Sequence, residues 1–348
     1  MKNLKIVVVG PGLIGKRHIE LIRNSSDCQL AGIVAPDRFN HHHLAHRLNV
    51  PLYHELDSLL RSESVDAVII SSPNIFHAEQ ASICIEAGLP VLIEKPITHS
   101  GTTAAVLVEL IEKKSAKVLI GHHRAHSPIL SAARELIQSG KLGRLVGIMG
   151  SAIFYKPDSY FEAGPWRREI GGGPILINLI HEIGNFRSLC GEISAVQAIA
   201  SSGVRDFPVE DTVVINLQFA SGALGTFMLS DTIASAKSWE QTSQENKDFP
   251  SYEDEDCYHV AGTHGSLSIP TMRLKYFKNE LERSWLNPFV KETLCVERVD
   301  PLECQLLHFI NVIKNIDKPL ISGMDGFINL KVTEAIINST KTNKYIKI

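Results

Sequence analysis

No apolar run in this chain of 348 residues is long enough to span a membrane. The start, Met1 to Gly10, is a lysine-bearing apolar strand that enters a glycine turn at once, without the longer apolar stretch and cleavage site of a secretory signal. Paired cysteines are missing too. Cys28, Cys84, Cys190, Cys257, Cys295 and Cys304 stand singly, with no CxxC and no framework spacing, so they read as buried thiols of a cytoplasmic protein. No long basic run exists: 35 lysines and arginines face 38 acids, for a formal net charge of -3, which argues against a nucleic-acid partner. Metal-ligand spacing is lacking as well. His41 to His43 form a run, and His122, His123 and His126 a second cluster, but neither has cysteines or carboxylates at zinc-type spacing, and no metal is expected.

What is present is ordinary globular composition, 44% hydrophobic and 21% charged, in a chain long enough for two domains that each bury a core. Leu4–Val9, Gln29–Val34, Val65–Ser71, Pro90–Ile93 and Val118–Gly121 read as short buried strands, with helical stretches between them. Alternating β and α implies a parallel, doubly wound sheet. The pattern changes after Gly121. Leu145–Tyr155, Ala195–Ser201, Thr212–Phe219, Ala223–Ser230, Tyr258–Gly262, Ser266–Ile269 and Arg273–Phe277 alternate or are β-branched between polar turns, as in an antiparallel sheet. Helical spacing marks Ser127–Ser139, Pro174–Phe186, Glu303–Asn315 and Gly326–Thr340, while the polar, acidic stretch Lys237–Asp256 reads as an exposed loop. The expected fold is α/β, with a doubly wound domain over 1–121 and an α+β domain over 122–348.

Gly10-Pro11-Gly12-Leu13-Ile14-Gly15 fits G-x-G-x-x-G between a strand and a helix. In that setting Gly10 makes the tight turn, Gly12 lets a pyrophosphate approach and Gly15 allows close helix packing, as a nicotinamide dinucleotide site requires. The next strand ends Val34-Ala35-Pro36-Asp37-Arg38. Ala35 stands where an acid would hold the adenosine ribose, Asp37 can still reach the diol, and Arg38 suits a 2′-phosphate, so NAD and NADP both remain open.

Three further segments complete a pattern: Ser72-Pro73-Asn74 with His77, then Glu94-Lys95-Pro96, then Gly171-Gly172-Gly173 followed by His181. The set resembles the Gfo/Idh/MocA family, the glucose-fructose oxidoreductase and inositol dehydrogenase relatives, from about Lys5 to the C-terminal helix. The resemblance implies an N-terminal Rossmann domain and a C-terminal domain whose open, mainly antiparallel sheet builds homo-dimers or homo-tetramers, with C-terminal helices packing back on the first domain. It implies that Lys95 lies at the nicotinamide and substrate, and that Pro73 and Asn74 border the cofactor. With Gly10, Gly12, Leu13, Ile14, Gly15, Asp37, Arg38, Ser72, His77 and Glu94 these make up the expected cofactor site.

The common family pattern places an aspartate four residues before the histidine. Here that place holds Ile177, with Asn178 the nearest polar residue. Asn178 and His181 share a helix face, so the amide would bind a substrate hydroxyl while His181 and Lys95 carry the catalysis. An imidazole titrates near neutral pH and suits the base; an ammonium steadies a developing alkoxide. The plainer alternatives are a core histidine and a surface salt bridge. Glu182 points some 100° away from His181 and reads as a solvated acid. Lys156, Trp166, Arg167 and Arg168 lead into the triple glycine and are expected on the substrate side, where a carboxylated sugar would find a cation. Two functions follow: a dehydrogenase or reductase acting on a sugar, cyclitol or related hydroxy acid, or, because the aspartate is missing, an inactive dinucleotide-binding regulator.

Overall fold

The computed structural model describes residues 3–348, apart from the side chains at positions 38–40. It divides into two compact units, one of residues up to His126 with Pro301–Leu330, the other of Ser127–Asp300 with Lys331–Ile348.

In the first unit six parallel strands, β1 (Leu4–Val9), β2 (Cys28–Val34), β3 (Leu52–Tyr53), β4 (Ala67–Ile70), β5 (Val91–Glu94) and β6 (Val118–Gly121), lie in the order β3-β2-β1-β4-β5-β6. Between them run α1 (Leu13–Asn24), α2 (Arg38–Leu48), α3 (Leu56–Ser62), α4 (His77–Glu86) and α5 (Gly101–Lys114). The central strands are apolar over most of their length, with Lys5, Gln29 and Glu94 the polar exceptions in β1, β2 and β5, because both faces of the sheet are covered. Val7, Val9, Val68, Ile70 and Ile93 point into one core, and Ile6, Val8, Ile69 and Leu92 into the other. The strand order reverses between β1 and β4, and the crevice beyond the carboxyl ends at such a reversal is where this architecture binds ligands.

The second unit contains α6 (Pro128–Gln138), β7 (Leu145–Ile153), α7 (Asp158–Glu162), α8 (Ile180–Cys190), β8 (Ile193–Ser201), β9 (Thr212–Phe219), β10 (Leu224–Ser230), α9 (Trp239–Thr242), β11 (Tyr258–Gly262), β12 (Gly265–Ile269), β13 (Arg273–Tyr276), β14 (Val290–Thr293) and β15 (Ile346–Lys347). The sheet order is β14-β13-β12-β11-β7-β10-β9-β8-β15. Only β7 and β10 pair in parallel; the other pairs are antiparallel. Strand β9 alternates strictly, with Val213, Ile215, Leu217 and Phe219 buried and Val214, Asn216 and Gln218 outside.

Two later helices, α10 (Pro301–Ile313) and α11 (Gly323–Thr342), lie between β14 and β15. Leu306, Phe309 and Ile310 of α10 complete a core of the first sheet, and Ile120 N–H donates to the Ile321 carbonyl at 2.9 Å. These contacts group residues 301–330 with the first unit, so the division of the chain is not a single break. It falls between His126 and Ser127, with the chain returning later.

The stretch 237–256 is corrected in its first half: 238–245 hold α9, and Ser238, Trp239, Thr242, Ser243 and Glu245 are all buried, while residues 246–254 are exposed. Glu245 accepts from the Trp239 indole at 2.8 Å and from the Ser127 hydroxyl, anchors that lie outside the local pattern. Cys295 is exposed, against the expectation of buried thiols; Cys28, Cys84, Cys190 and Cys257 are buried. Among the described residues no helix is long and apolar enough to cross a membrane.

Candidate active site

The three glycines after β1 have separate physical reasons. Gly10 has φ +79°, and a Cβ there would lie 2.6 Å from the Ser72 backbone. A Cβ on Gly15 would come within 2.2 Å of the Gly10 carbonyl oxygen, so α1 packs against the turn only without one. Gly12 is the opposite case: nothing lies within 4 Å of its would-be Cβ. It caps α1 from an extended backbone, with no side-chain cap and no acid in the first turn. Unscreened N–H groups beside open space fit a dinucleotide pyrophosphate. Leu13 is exposed and Ile14 half-buried beside it.

This contrast gives a testable separation. Gly12→Ala should cost the fold less than about 1 kcal/mol yet weaken dinucleotide binding about tenfold or more by filling the cradle. Gly15→Ala should lower stability by about 2 kcal/mol, because backbone must move. Denaturant melts and cofactor titrations on both variants check this, and equal loss of stability in the two would contradict it.

At the end of β2, Ala35 is fully buried and Asp37 exposed, while the Arg38 side chain lies outside the described residues. Beyond β4 the Ser71 hydroxyl donates to the Val9 and Gly10 carbonyls at 2.9 Å each, tying the two loops together. The Ser72 hydroxyl donates to Gln80 at 2.6 Å, and Pro73 and Asn74 are exposed.

His77 and Glu94, both expected at the cofactor, are turned inward. The His77 ring is buried, with Nδ1 2.9 Å from the Pro96 carbonyl and Nε2 2.8 Å from the Ser72 carbonyl, so it bridges the loops after β4 and β5. Burial pushes its pKa down, against the opposing pull of the Ser72 and Pro96 carbonyls. The Glu94 carboxylate is buried 2.8 Å from His18 Nε2 on α1, and a Cβ on Gly121 would meet it at 2.9 Å. Lys95 sits half-buried between these two fixed points, and its own N–H donates to Glu94 at 3.2 Å. His18 gave no local sign in the sequence of this partnership.

In the second unit His181 stands at the start of α8, buried. A π-helical turn over Ile175–Leu179 precedes it, the kind of local insertion that recurs at functional sites. Glu210 accepts from Ile175 N–H at 2.9 Å and packs where a Cβ on Gly173 would be, 2.7 Å away. Burial raises the Glu210 pKa. No motif in the sequence points to this carboxylate.

The rest of α8 is clamped to the sheet. Phe186 lies edge-on to Phe227 and Tyr258 with centroids 5.4 and 5.3 Å away, over Gly150, whose missing Cβ admits the ring. The Asn185 amide donates to the Tyr258 hydroxyl at 2.9 Å, and that hydroxyl donates to Glu182. Glu182 is therefore buried rather than solvated, because the helix is covered on more than one side.

Lys156 and Asn178 come together: the lysine Nζ donates to the amide oxygen at 2.7 Å. The same nitrogen is 3.8 Å from Asp231 and 4.8 Å from the Tyr160 ring centre. The Arg167 guanidinium lies 4.0 Å from that ring centre and donates to the Tyr160 carbonyl, with the exposed Trp166 ring 5.8 Å away. Arg168 is directed to Phe207, 6.0 Å from its centre.

Residues 4–122 match the model of an oxidoreductase family with an NAD-binding Rossmann fold, and residues 130–268 match the GFO/IDH/MocA C-terminal domain. The chain belongs to the GFO/IDH/MocA family. Its first unit is thus an NAD-binding Rossmann domain, its cofactor NAD or NADP, and its kin NAD(P)-dependent oxidoreductases acting on CH–OH groups. An inositol 2-dehydrogenase of Corynebacterium glutamicum is 32% identical over 154 residues, 43% of this chain and 45% of that protein. The match thus spans under half the length of that relative. A scyllo-inositol 2-dehydrogenase (NAD(+)) of Bacillus subtilis is 24% identical over 99% of this chain and 96% of its own. The WlbA dehydrogenase of Bordetella pertussis, in complex with NADH and UDP-GlcNAcA, shares the fold with a TM-score of 0.78 at 18% identity, over 100% of this chain and 99% of that one.

Proposed function

We propose that this protein is an NAD(P)-dependent dehydrogenase or reductase acting on a hydroxyl-bearing carbon, or its ketone, of a sugar, cyclitol or related hydroxy acid. The observation that carries this reading is the open cradle at Gly12 in the same unit as Lys95, whose flanking residues are locked by His18 and His77. When bound, the nicotinamide supplies the two-electron acceptor or donor. His181 takes the hydroxyl proton in oxidation and returns it in reduction, and Lys95 steadies negative charge on the oxygen. Ile177 can do neither, and an amide at Asn178 takes no proton. Nicotinamide absorbance with a panel of polyols, sugar acids and their keto forms tests the reading. Absence of turnover with either dinucleotide would remove it.

Ile177 in the aspartate's place favours a second reading, a dinucleotide-binding regulator without catalysis. Such a protein would bind the dinucleotide and a protein partner, and Lys95→Ala would leave its activity intact.

Self-association through the outer face of the large sheet is part of the same proposal. Ile199, Val214 and Met228 are neighbours across β8, β9 and β10 and all exposed, with Leu224 at the start of β10 and Met149 on the adjoining β7. An apolar row of this kind on a solvated sheet supports self-association there. Ile199→Glu combined with Met228→Lys should shift the sedimentation coefficient to a smaller species without unfolding the chain; an unchanged species would place the interface elsewhere.

A further inference from the structure

We propose that Lys156 is a positioning residue that fixes Asn178 as a hydrogen-bond donor. The substrate side thereby selects an oxygen that only accepts, a carbonyl or carboxylate, over the matching hydroxyl. This rests on the reading of Asn178 as a substrate contact given above.

Three observations lead to it. Lys156 is buried, and its Nζ donates to Asn178 Oδ1 at 2.7 Å. An ammonium has donors and no acceptor, so the amide must turn its oxygen to the lysine and its NH₂ away. The lysine itself cannot drift. Its backbone N–H donates to the Asp231 carbonyl at 2.9 Å, Arg205 holds its carbonyl at 2.7 Å, and Arg205 Nε also holds the Asp231 carboxylate at 2.8 Å. Phe154 and Tyr160 complete the surround, their ring centres 5.4 and 4.8 Å from Nζ.

The consequence follows from donor and acceptor counting. Lys156 is engaged with Asn178 and Asp231, so what this pair presents outward is the half-buried Asn178 NH₂. The neighbouring position holds Ile177, whose apolar side chain offers no acceptor. A hydroxyl placed against Asn178 can accept its hydrogen bond but must still find an acceptor for its own proton. A carbonyl or carboxylate oxygen has no such proton to place.

The test titrates the NADH-loaded protein by calorimetry with two matched pairs, myo-inositol against its 2-ketone and D-galactose against D-galacturonate. The wild type should bind the keto or carboxylated member of at least one pair about tenfold more tightly. Lys156→Met should bring that ratio to within about threefold while leaving the hydroxyl member nearly unchanged, and Lys156→Arg should restore it. Asn178→Asp should abolish the preference, and it decides the matter if Lys156→Met does not fold. An unchanged ratio in these variants overturns the proposal. Equal weakening of both members also overturns it, since that is what a merely structural lysine would give. Turnover assays run beside the titrations separate the two readings: a Lys156-dependent ratio without turnover keeps this proposal and removes the catalytic one. Turnover with a Lys156-independent ratio does the reverse. Failure to bind any of the four probes removes the selection proposed here.

Discussion

Lys95→Ala is expected to lower turnover by about 100- to 1000-fold, the cost of one preorganised electrostatic donor, with dinucleotide affinity held within about threefold. The size follows from how firmly the residue is set. The carboxylate before it is fixed to His18, and the carbonyl after it is fixed to His77. In the proposed reaction a positive group held this way meets the developing oxyanion without reorganising. His181→Ala should cost less, and its deficit should shrink at high pH, where hydroxide can replace a general base. The measurement is the pH profile of kcat for each single variant, with cofactor binding checked so that misfolding is not taken for lost chemistry. Lys95→Ala within threefold of wild type would remove the lysine from the chemistry. A His181→Ala enzyme with the wild-type profile would make the histidine structural.

The parts of this site that the sequence discloses are the local ones. Gly10, Gly12 and Gly15 announce themselves because turn geometry, open approach and helix packing are demands on the glycine itself, and the strand before them is legible from its β-branched run. The supports of the site are of another kind. His18 and Glu94 are 76 residues apart, Glu182 and Tyr258 again 76, and Ile175 and Glu210 35. No periodicity or motif links such partners, since the sheet order alone brings them together. The same cause explains the misreading of 237–245. Its polar composition suggested solvent, but Glu245 reaches Ser127 across 118 residues and the stretch is pinned by Trp239. Lys156 shows the effect inside the candidate site. Its charge suggested an anion contact, whereas the structure directs it to Asn178 and Asp231, a role visible only once the amide oxygen is located.

Stability should fall steeply as the solution is acidified below about pH 6.5, and the histidines around residues 123–126 should account for much of the loss. His126 has its pKa lowered to about 3, chiefly by burial and then by the neighbouring His308 and His122. The His308 ring centre is 5.0 Å away. His123 is pushed well below its ordinary range by desolvation and by the charges of Arg124 and Lys95, and burial lowers His77 and His308 too. An unfolded chain takes up protons on these rings near pH 6.5, while the folded chain refuses them until much lower pH. Acid therefore favours the unfolded state throughout that interval, by up to about 1.4 kcal/mol per pH unit for each such group. For His126 alone, crossing from about 6.5 to about 3 amounts to roughly 5 kcal/mol at most, a large part of an ordinary folding free energy. Replacing the ring with an apolar one of similar size, His126→Phe, should flatten the dependence, because the proton the unfolded state would have taken up no longer exists. Urea unfolding of wild type and His126→Phe at several pH values between 7.5 and 4 checks this. The two stability curves should converge or cross as pH falls; curves that stay parallel would mean that His126 is protonated alike in both states.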